Sequence, residues 1–159
     1  MAAMAGRSTG SLAVMLEVVP LEKNKDGFEF AFAVKKEALG PYVVSRWGWN
    51  EELQRKTHAE RWTARRFFRI VRDGASVGTV SIDEAADHLM LAEFYILPPF
   101  QRQGIGTEVL RRILSEAQAK RLPVRLQFLK WNPVASLYKR HGFAVTGETE
   151  THFLMERAA

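Results

Sequence analysis

The stretch Leu89–Lys120 reads LMLAEFYIL, then PPF, then QRQGIGT, then EVLRRILSEAQAK. Its reading decides the fold. Leu89 to Leu97 is apolar at every position but Glu93, the pattern of a central strand covered on both faces. Pro98-Pro99 ends that strand. Thr107 to Lys120 then sets Val109, Leu110, Ile113, Leu114 and Ala117 on one helical face. Between strand and helix lies Gln101-Arg-Gln-Gly-Ile-Gly-Thr107. Glycines at 104 and 106 let the backbone turn its amides toward one point, and a helix N-terminus adds about half a positive charge there. Arg102 adds a full charge. The combination suits a pyrophosphate, and a tight turn between strand and helix uses the same glycines, so both readings stand.

Working outward, Leu12 to Leu21 reads as a strand and Phe28 to Leu39 as a helix that Gly40-Pro41 breaks. An aromatic segment, Tyr42 to Trp49, leads into a polar helix from Asn50 to Trp62. Ala64–Asp73 and Val77–Ile82 form a hairpin about Gly74. Beyond the long helix, Pro123 to Leu129 is a strand. A short helix follows, with Asn132 placed to cap it, Pro133 at its first position and Gly142 at its left-handed exit. Phe143–Val145 and Thr151–Met155 close the chain as strands joined through Gly147. The order β-α-α-β-β-β-α-β-α-β-β predicts an α/β (α+β) fold on a mixed sheet. Residues 1–10, rich in Ala, Gly and Ser, are expected to be disordered, and 11–159 to be one domain.

Composition narrows the chemistry. The chain has 159 residues and no cysteine, which excludes a disulfide scaffold, a cysteine-zinc site and a thiol nucleophile. Four scattered histidines show no metal spacing, so no metal is expected. No apolar run reaches the roughly 18 residues of a membrane span. A cytoplasmic protein without a membrane or nucleic-acid partner is expected, as monomer or homodimer. The formal charge is +5, and Gln101 to Arg140 holds nine basic residues and two acidic ones, so this segment carries the whole excess. A phosphorylated ligand fits that placement.

Two motifs in this order are specific together. Gln101-x-x-Gly104-x-Gly106 resembles the Gln/Arg-x-x-Gly-x-Gly/Ala motif of the GNAT superfamily of N-acyltransferases. Asn132-Pro-Val-Ala-Ser-Leu-Tyr138-Lys-Arg-His-Gly142-Phe143 is similar to that family's Asn…Ala…Leu-Tyr-x-x-x-Gly-Phe signature. The likeness covers Ala64 to Arg157 well, and the first 63 residues by element order only. It implies a mostly antiparallel sheet splayed at the central strand, with acetyl-CoA in the gap. Pantetheine would then lie along Phe94, Tyr95 and Ile96. The pyrophosphate would lie on the Gln101, Arg102, Gln103, Gly104, Ile105, Gly106 and Thr107 loop, and Asn132 would reach the pantetheine arm. The Asn-to-Tyr spacing is one residue shorter than in many members, which leaves a helix cap as the other reading of Asn132.

Tyr138 matches the family's general acid, which protonates the departing thiolate. A phenol, with an ordinary pKa of about 10, stays neutral for that task; a packed core tyrosine is the alternative. The strand position where some relatives carry a basic Glu is Gln127 here. Glu93 is then the candidate base, because burial raises a carboxylate's pKa. A structural carboxylate, or a water chain in its place, is the alternative. The acceptor site would come from Gly40 to Glu60, with Tyr42, Trp47, Trp49 and His58 as candidates. For Trp47 and Trp49 the alternative is a cover over the core. The expected reaction is acetyl transfer from acetyl-CoA to a primary amine, on a small molecule or on a peptide or protein. A non-catalytic acyl-CoA-binding module on the same fold is the competing reading.

Overall fold

Two asparagines start the N-terminal helices in the computed structural model, which describes residues 4–7 (backbone only) and 15–159. Asn24 caps α1 (Lys25–Trp47), its side chain accepting from the Gly27 amide at 2.9 Å. Asn50 caps α2 (Glu51–Ala64), accepting from the Leu53 amide at 3.0 Å, with Glu51 and Glu52 in the positive first turn. Gly40-Pro41 does not break α1, which runs on to Gly48. Proline removes one backbone donor, at a typical cost of about 3 kcal/mol, and tertiary contacts hold the helix beyond it. Val43 is buried, the Trp131 indole donates to the Tyr42 carbonyl at 2.7 Å, and Gly48 caps the end at φ 71°.

The sheet holds eight strands in the order β1-β2-β3-β4-β5-β6-β8-β7. They are β1 (Met4–Arg7), β2 (Met15–Pro20), β3 (Arg66–Arg72), β4 (Ala75–Glu84), β5 (Leu89–Ile96), β6 (Val124–Leu129), β7 (Ala144–Glu148) and β8 (His152–Arg157). Met4–Arg7 lies in the stretch expected to be disordered, yet pairs antiparallel with β2. The rest of residues 1–10, and 11–14 at the start of the expected first strand, lie outside the described residues. The β3–β4 hairpin turns on Asp73 and Gly74, both at positive φ as a two-residue turn requires. Gly147 does not join β7 to β8: it sits within β7 at a register shift. The turn lies at 149–151, where Thr149 Oγ1 accepts from the amides of Thr151 and His152.

Helix α3 (Ile105–Ala119) buries the five residues its periodicity predicts against β5 and its neighbours. A smaller cluster of Leu21, Ala31, Trp62 and Phe67 joins α1 and α2 to the sheet's other face. No helix among the described residues is long and apolar enough to cross a membrane.

Two irregularities in β5 shape everything near it. The first is a bulge: Leu91 pairs with Ile82 and Glu93 with Ser81, which leaves Ala92 as the extra residue. Side chains alternate along a strand, so one inserted residue exchanges the faces downstream. Leu89 and Leu91 face the α3 side, and after the bulge Phe94 and Ile96 do so as well. Glu93 thereby turns to the side of α1 and α2. The second is the splay. β5 and β6, the sheet's parallel pair, are in register only at Leu89–Val124 and Met90–Arg125. From Leu91 onward, the β5 edge facing β6 has no strand partner, and a wedge opens.

Candidate active site

The wedge is a cavity of about 370 Å³. One wall is the last part of β5, with Phe94, Tyr95 and Ile96. A second is the loop into α3, with Gln101, Arg102, Gly104, Ile105, Gly106 and Thr107. The third is Asn132, Ser136, Leu137, Tyr138 and Arg140, on and before α4 (Ala135–Arg140), and Tyr42 of α1 reaches the rim. Two motifs some 30 residues apart in the chain thus face one space, because β6 diverges from β5 and carries α4 across from α3.

The loop is built to leave amides free. Arg102 (φ 61°) and Gly104 (φ 81°) take left-handed conformations, and α3 begins with no side-chain cap. The amides of Gly104, Ile105, Gly106 and Thr107 have no partner in the protein among the described residues. Two side chains brace this shape. Gln101 Nε2 donates to the Ile96 carbonyl at 2.8 Å. Gln103 donates to the Pro99 carbonyl at 3.1 Å and accepts from Arg72 at 2.5 Å, so it turns away from the cavity, unlike its loop neighbours. The lining includes Arg102 and Arg140 and no carboxylate. Free amides, a helix N-terminus and two arginines form a cradle that fits a diphosphate, and the unpaired β5 edge fits an extended amide-bearing arm.

Tyr138 is 7% exposed, and burial raises its phenol pKa above the ordinary value. Its hydroxyl makes no hydrogen bond to the protein among the described residues and faces the cavity. The ring also packs on Phe128 and Phe143, so it serves the core with its face and the cavity with its hydroxyl. Asn132 is not a helix cap. Val134 holds that position without a side-chain bond, and Asn132 lines the cavity. Its backbone forms the turn instead, receiving the Val134 amide at 2.8 Å.

Glu93 lies behind Tyr95, outside the cavity lining, and is 5% exposed. Its Oε1 is 3.8 Å from Lys35 Nζ on α1 and 3.7 Å from an Arg61 nitrogen on α2, with no hydrogen bond. Burial raises its pKa, and Lys35 pulls the other way. Ser81, its cross-strand partner, also has a buried hydroxyl without a partner. Lys35 and Arg61 were not expected here. The available signal was that Lys35 interrupts an apolar helical stripe, three and four residues from Phe32 and Ala31.

The four residues expected to receive an acceptor separate. Tyr42 lines the cavity. Trp47 is exposed and packs edge-on against Trp131, outside the lining. Trp49 lies over Phe32 and bonds Glu51 through its indole nitrogen, a cover for the core. His58 is wholly buried among Phe28, Phe32, Trp62 and Phe67 and lies outside the cavity lining, which removes it from an acceptor site there. It is there because its Nε2 satisfies the Phe28 carbonyl at 3.1 Å inside an aromatic nest. No group of three or more metal-ligating side chains occurs among the described residues.

Comparison with known proteins agrees with this geometry. Several crystal structures share the fold at low identity. One is the PaiA N-acetyltransferase of Thermoplasma acidophilum in complex with coenzyme A: 19% identity, 91% of this chain and 99% of that one, TM-score 0.73. Another is the ribosomal-protein-S18-alanine N-acetyltransferase of Escherichia coli: 17% identity, 91% and 94% coverage, TM-score 0.67. A third is a GNAT family acetyltransferase from Elizabethkingia anophelis with acetyl-CoA bound: 14% identity, 91% and 98% coverage, TM-score 0.66. No curated protein matches the chain by sequence. The acetyltransferase (GNAT) domain model matches residues 63–145. That span takes in the hairpin, the bulged strand, the amide-rich loop and α4, and with more than half of the chain matched, the protein belongs to the GNAT acetyltransferase family.

Proposed function

We propose that the protein moves an acetyl group from acetyl-CoA to a primary amine by direct attack in a ternary complex. The observation that carries this reading is the unpaired Tyr138 hydroxyl in the same cavity as the four free amides of the α3 loop. The amides of residues 104–107 and the Arg102 and Arg140 side chains would hold the diphosphate. The free edge of β5 and Asn132 would hold the pantetheine arm. When bound, the donor supplies a thioester carbonyl activated toward amines.

The chain's own groups do the rest. The acceptor nitrogen bonds to the carbonyl carbon, the carbon–sulfur bond breaks, and Tyr138 gives its proton to the departing sulfur. Burial keeps the phenol protonated across the working pH range, so the proton is present when the sulfur departs. The proton released by the acceptor passes to solvent in the cavity, since the buried Glu93 lies outside its lining. Lys35 and Arg61 favour the ionised form of Glu93 against the effect of burial, which suits a structural carboxylate. The acceptor enters beside Tyr42, the rim residue on the α1 side. Absence of cysteine fits a route without an acyl-enzyme.

The test is thiol release from acetyl-CoA with a panel of small amines, amino acids and peptides, alongside calorimetry of CoA binding. Tyr138→Phe should bind CoA as the wild type does and lose about 100-fold in turnover, the usual scale for a positioned acid. Unchanged turnover removes Tyr138 from the reaction. CoA binding without turnover on any acceptor supports the non-catalytic module, and no CoA binding overturns the proposal.

A further inference from the structure

A second cavity, of about 470 Å³ and open to solvent, lies farther along the seam between α3 and α4. Three arginines from three elements face it: Arg111 from α3, Arg140 from the last turn of α4 and Arg157 from the end of β8. Ser115 and Gln118 add polar groups from the Arg111 face of α3, and no carboxylate lines the space. Arg55, Arg61, Arg65, Arg112 and Arg125 each lie against a carboxylate, whereas Arg46, Arg69, Arg72, Arg102 and Arg121, scattered over other elements, have none among the described residues. Arg111, Arg140 and Arg157 have none among the described residues; Arg140 donates only to the Ser136 carbonyl, at 3.3 Å. Gly142 keeps the arrangement open, since a Cβ there would meet Arg157 Nε at 3.3 Å on a backbone with φ 87°. The His141 Nδ1 is engaged with the Leu137 carbonyl at 2.8 Å, so Nε2 is the ring nitrogen left for a ligand.

Three converging guanidinium groups without a counter-charge repel one another, and an anion held among them relieves that repulsion. A guanidinium presents paired donors in a plane. A carboxylate has two oxygens and saturates one such fork, whereas a phosphate has enough oxygens to engage several. We propose that this groove binds a phosphate-bearing anion. Arg140 lines both cavities, so the groove adjoins the donor cleft. The phosphate therefore has two sources: the ribose phosphate of CoA lying next door, or a separate phosphorylated molecule whose binding is felt at the donor site through Arg140.

The experiment uses the double variant Arg111→Ala/Arg157→Ala, which leaves every residue of the donor cavity in place. Calorimetry with CoA, with 3′-dephospho-CoA and with inorganic pyrophosphate added to CoA-saturated protein separates the sources. If the variant weakens CoA by about tenfold or more while dephospho-CoA binds both proteins alike, the groove holds the cofactor's own phosphate. If pyrophosphate binds the CoA-saturated wild type and this binding is lost in the variant, the groove serves a separate ligand. Either result supports the site. Equal binding of all three probes by both proteins overturns it. The CoA arms rest on the donor reading above, and the pyrophosphate arm, repeated without CoA, does not, so the two can fail separately.

Discussion

Lys35 Nζ and Glu93 Oε1 stand 3.8 Å apart, both side chains almost wholly withdrawn from water, with no hydrogen bond between them. Burial depresses the lysine and raises the carboxylate, and each is held charged chiefly by the other, with Arg61 and Arg65 also acting on the pair. Glu93 thus binds protons more readily folded than unfolded. Its contribution to stability is present at low pH and is lost as pH rises above the ordinary 4.5 through the raised folded pKa. Removing the lysine extends that loss to higher pH. Lys35→Met should lower stability by about 3 kcal/mol near neutrality. Thermal melts from pH 4 to 8 should show its decline displaced upward, and Glu93→Gln should abolish that limb. Identical pH profiles for wild type and Lys35→Met would show that the two groups are not coupled.

His58 works in the opposite sense. Burial lowers its pKa from 6.5 to about 4, so the native state holds it neutral. Stability from this group is complete above pH 6.5 and falls as pH drops through about 4. The full loss is about 3 kcal/mol from a shift of that size. His58→Gln should be less stable at pH 7, because its aromatic nest is spoiled, yet flatter between pH 6.5 and 4 in denaturant titrations. A slope as steep as the wild type's would place acid sensitivity elsewhere.

Gly78 sits where β4 crosses the last residues of β5, and a Cβ there would run into the Tyr95 carbonyl, which is backbone and cannot swing aside. Gly78→Ala should therefore cost about 3 kcal/mol or more. Because Tyr95 lines the donor cavity, CoA affinity should fall with it. A variant that melts within a degree or two of wild type refutes this account.

The two loop glycines should respond differently. Gly104 has a left-handed φ of 81° and open space around it, so alanine there costs only backbone strain, about 1–2 kcal/mol, and asparagine less. Gly106 lies inside α3, where an added Cβ makes ordinary contacts with Phe94 and Leu137 at 3.9 and 4.0 Å. Gly106→Ala should raise stability by about 0.5–1 kcal/mol while narrowing the donor cleft. Melting temperature and CoA affinity, measured together, should move in opposite directions for Gly106→Ala and both fall for Gly104→Ala.

Most of the architecture was legible because period and punctuation agreed. The α3 stripe, the Asp73-Gly74 hairpin and the Gly142 exit each have one local cause, and each occurs where expected. Misreadings fell where distant contacts override local preference. Pro41 continues a helix because Trp131, 90 residues away, holds the neighbouring carbonyl. Within the site, the loop and Tyr138 reach the cavity as their motifs suggest. His58 and Trp49 do not, since an aromatic or imidazole group near a loop looks the same whether it faces solvent or core. The Lys35–Glu93 pair was half visible: Glu93 stood out in an apolar strand, but the bulge at Ala92 that turns it toward α1 leaves no mark in composition.

The short contact between β5 and β6 bears on how the molecule assembles. From β1 to β5 every neighbour in the sheet is also the next strand in sequence, with α1 and α2 inserted between β2 and β3, so that half of the sheet is laid down strand by strand. β6, β8 and β7 form a second block, and only two residue pairs stitch the blocks edge to edge. The wedge is thus a seam as well as a pocket. A molecule lying in it touches both blocks and acts as a removable rung, tying together two pieces of chain that the sheet itself leaves half unzipped.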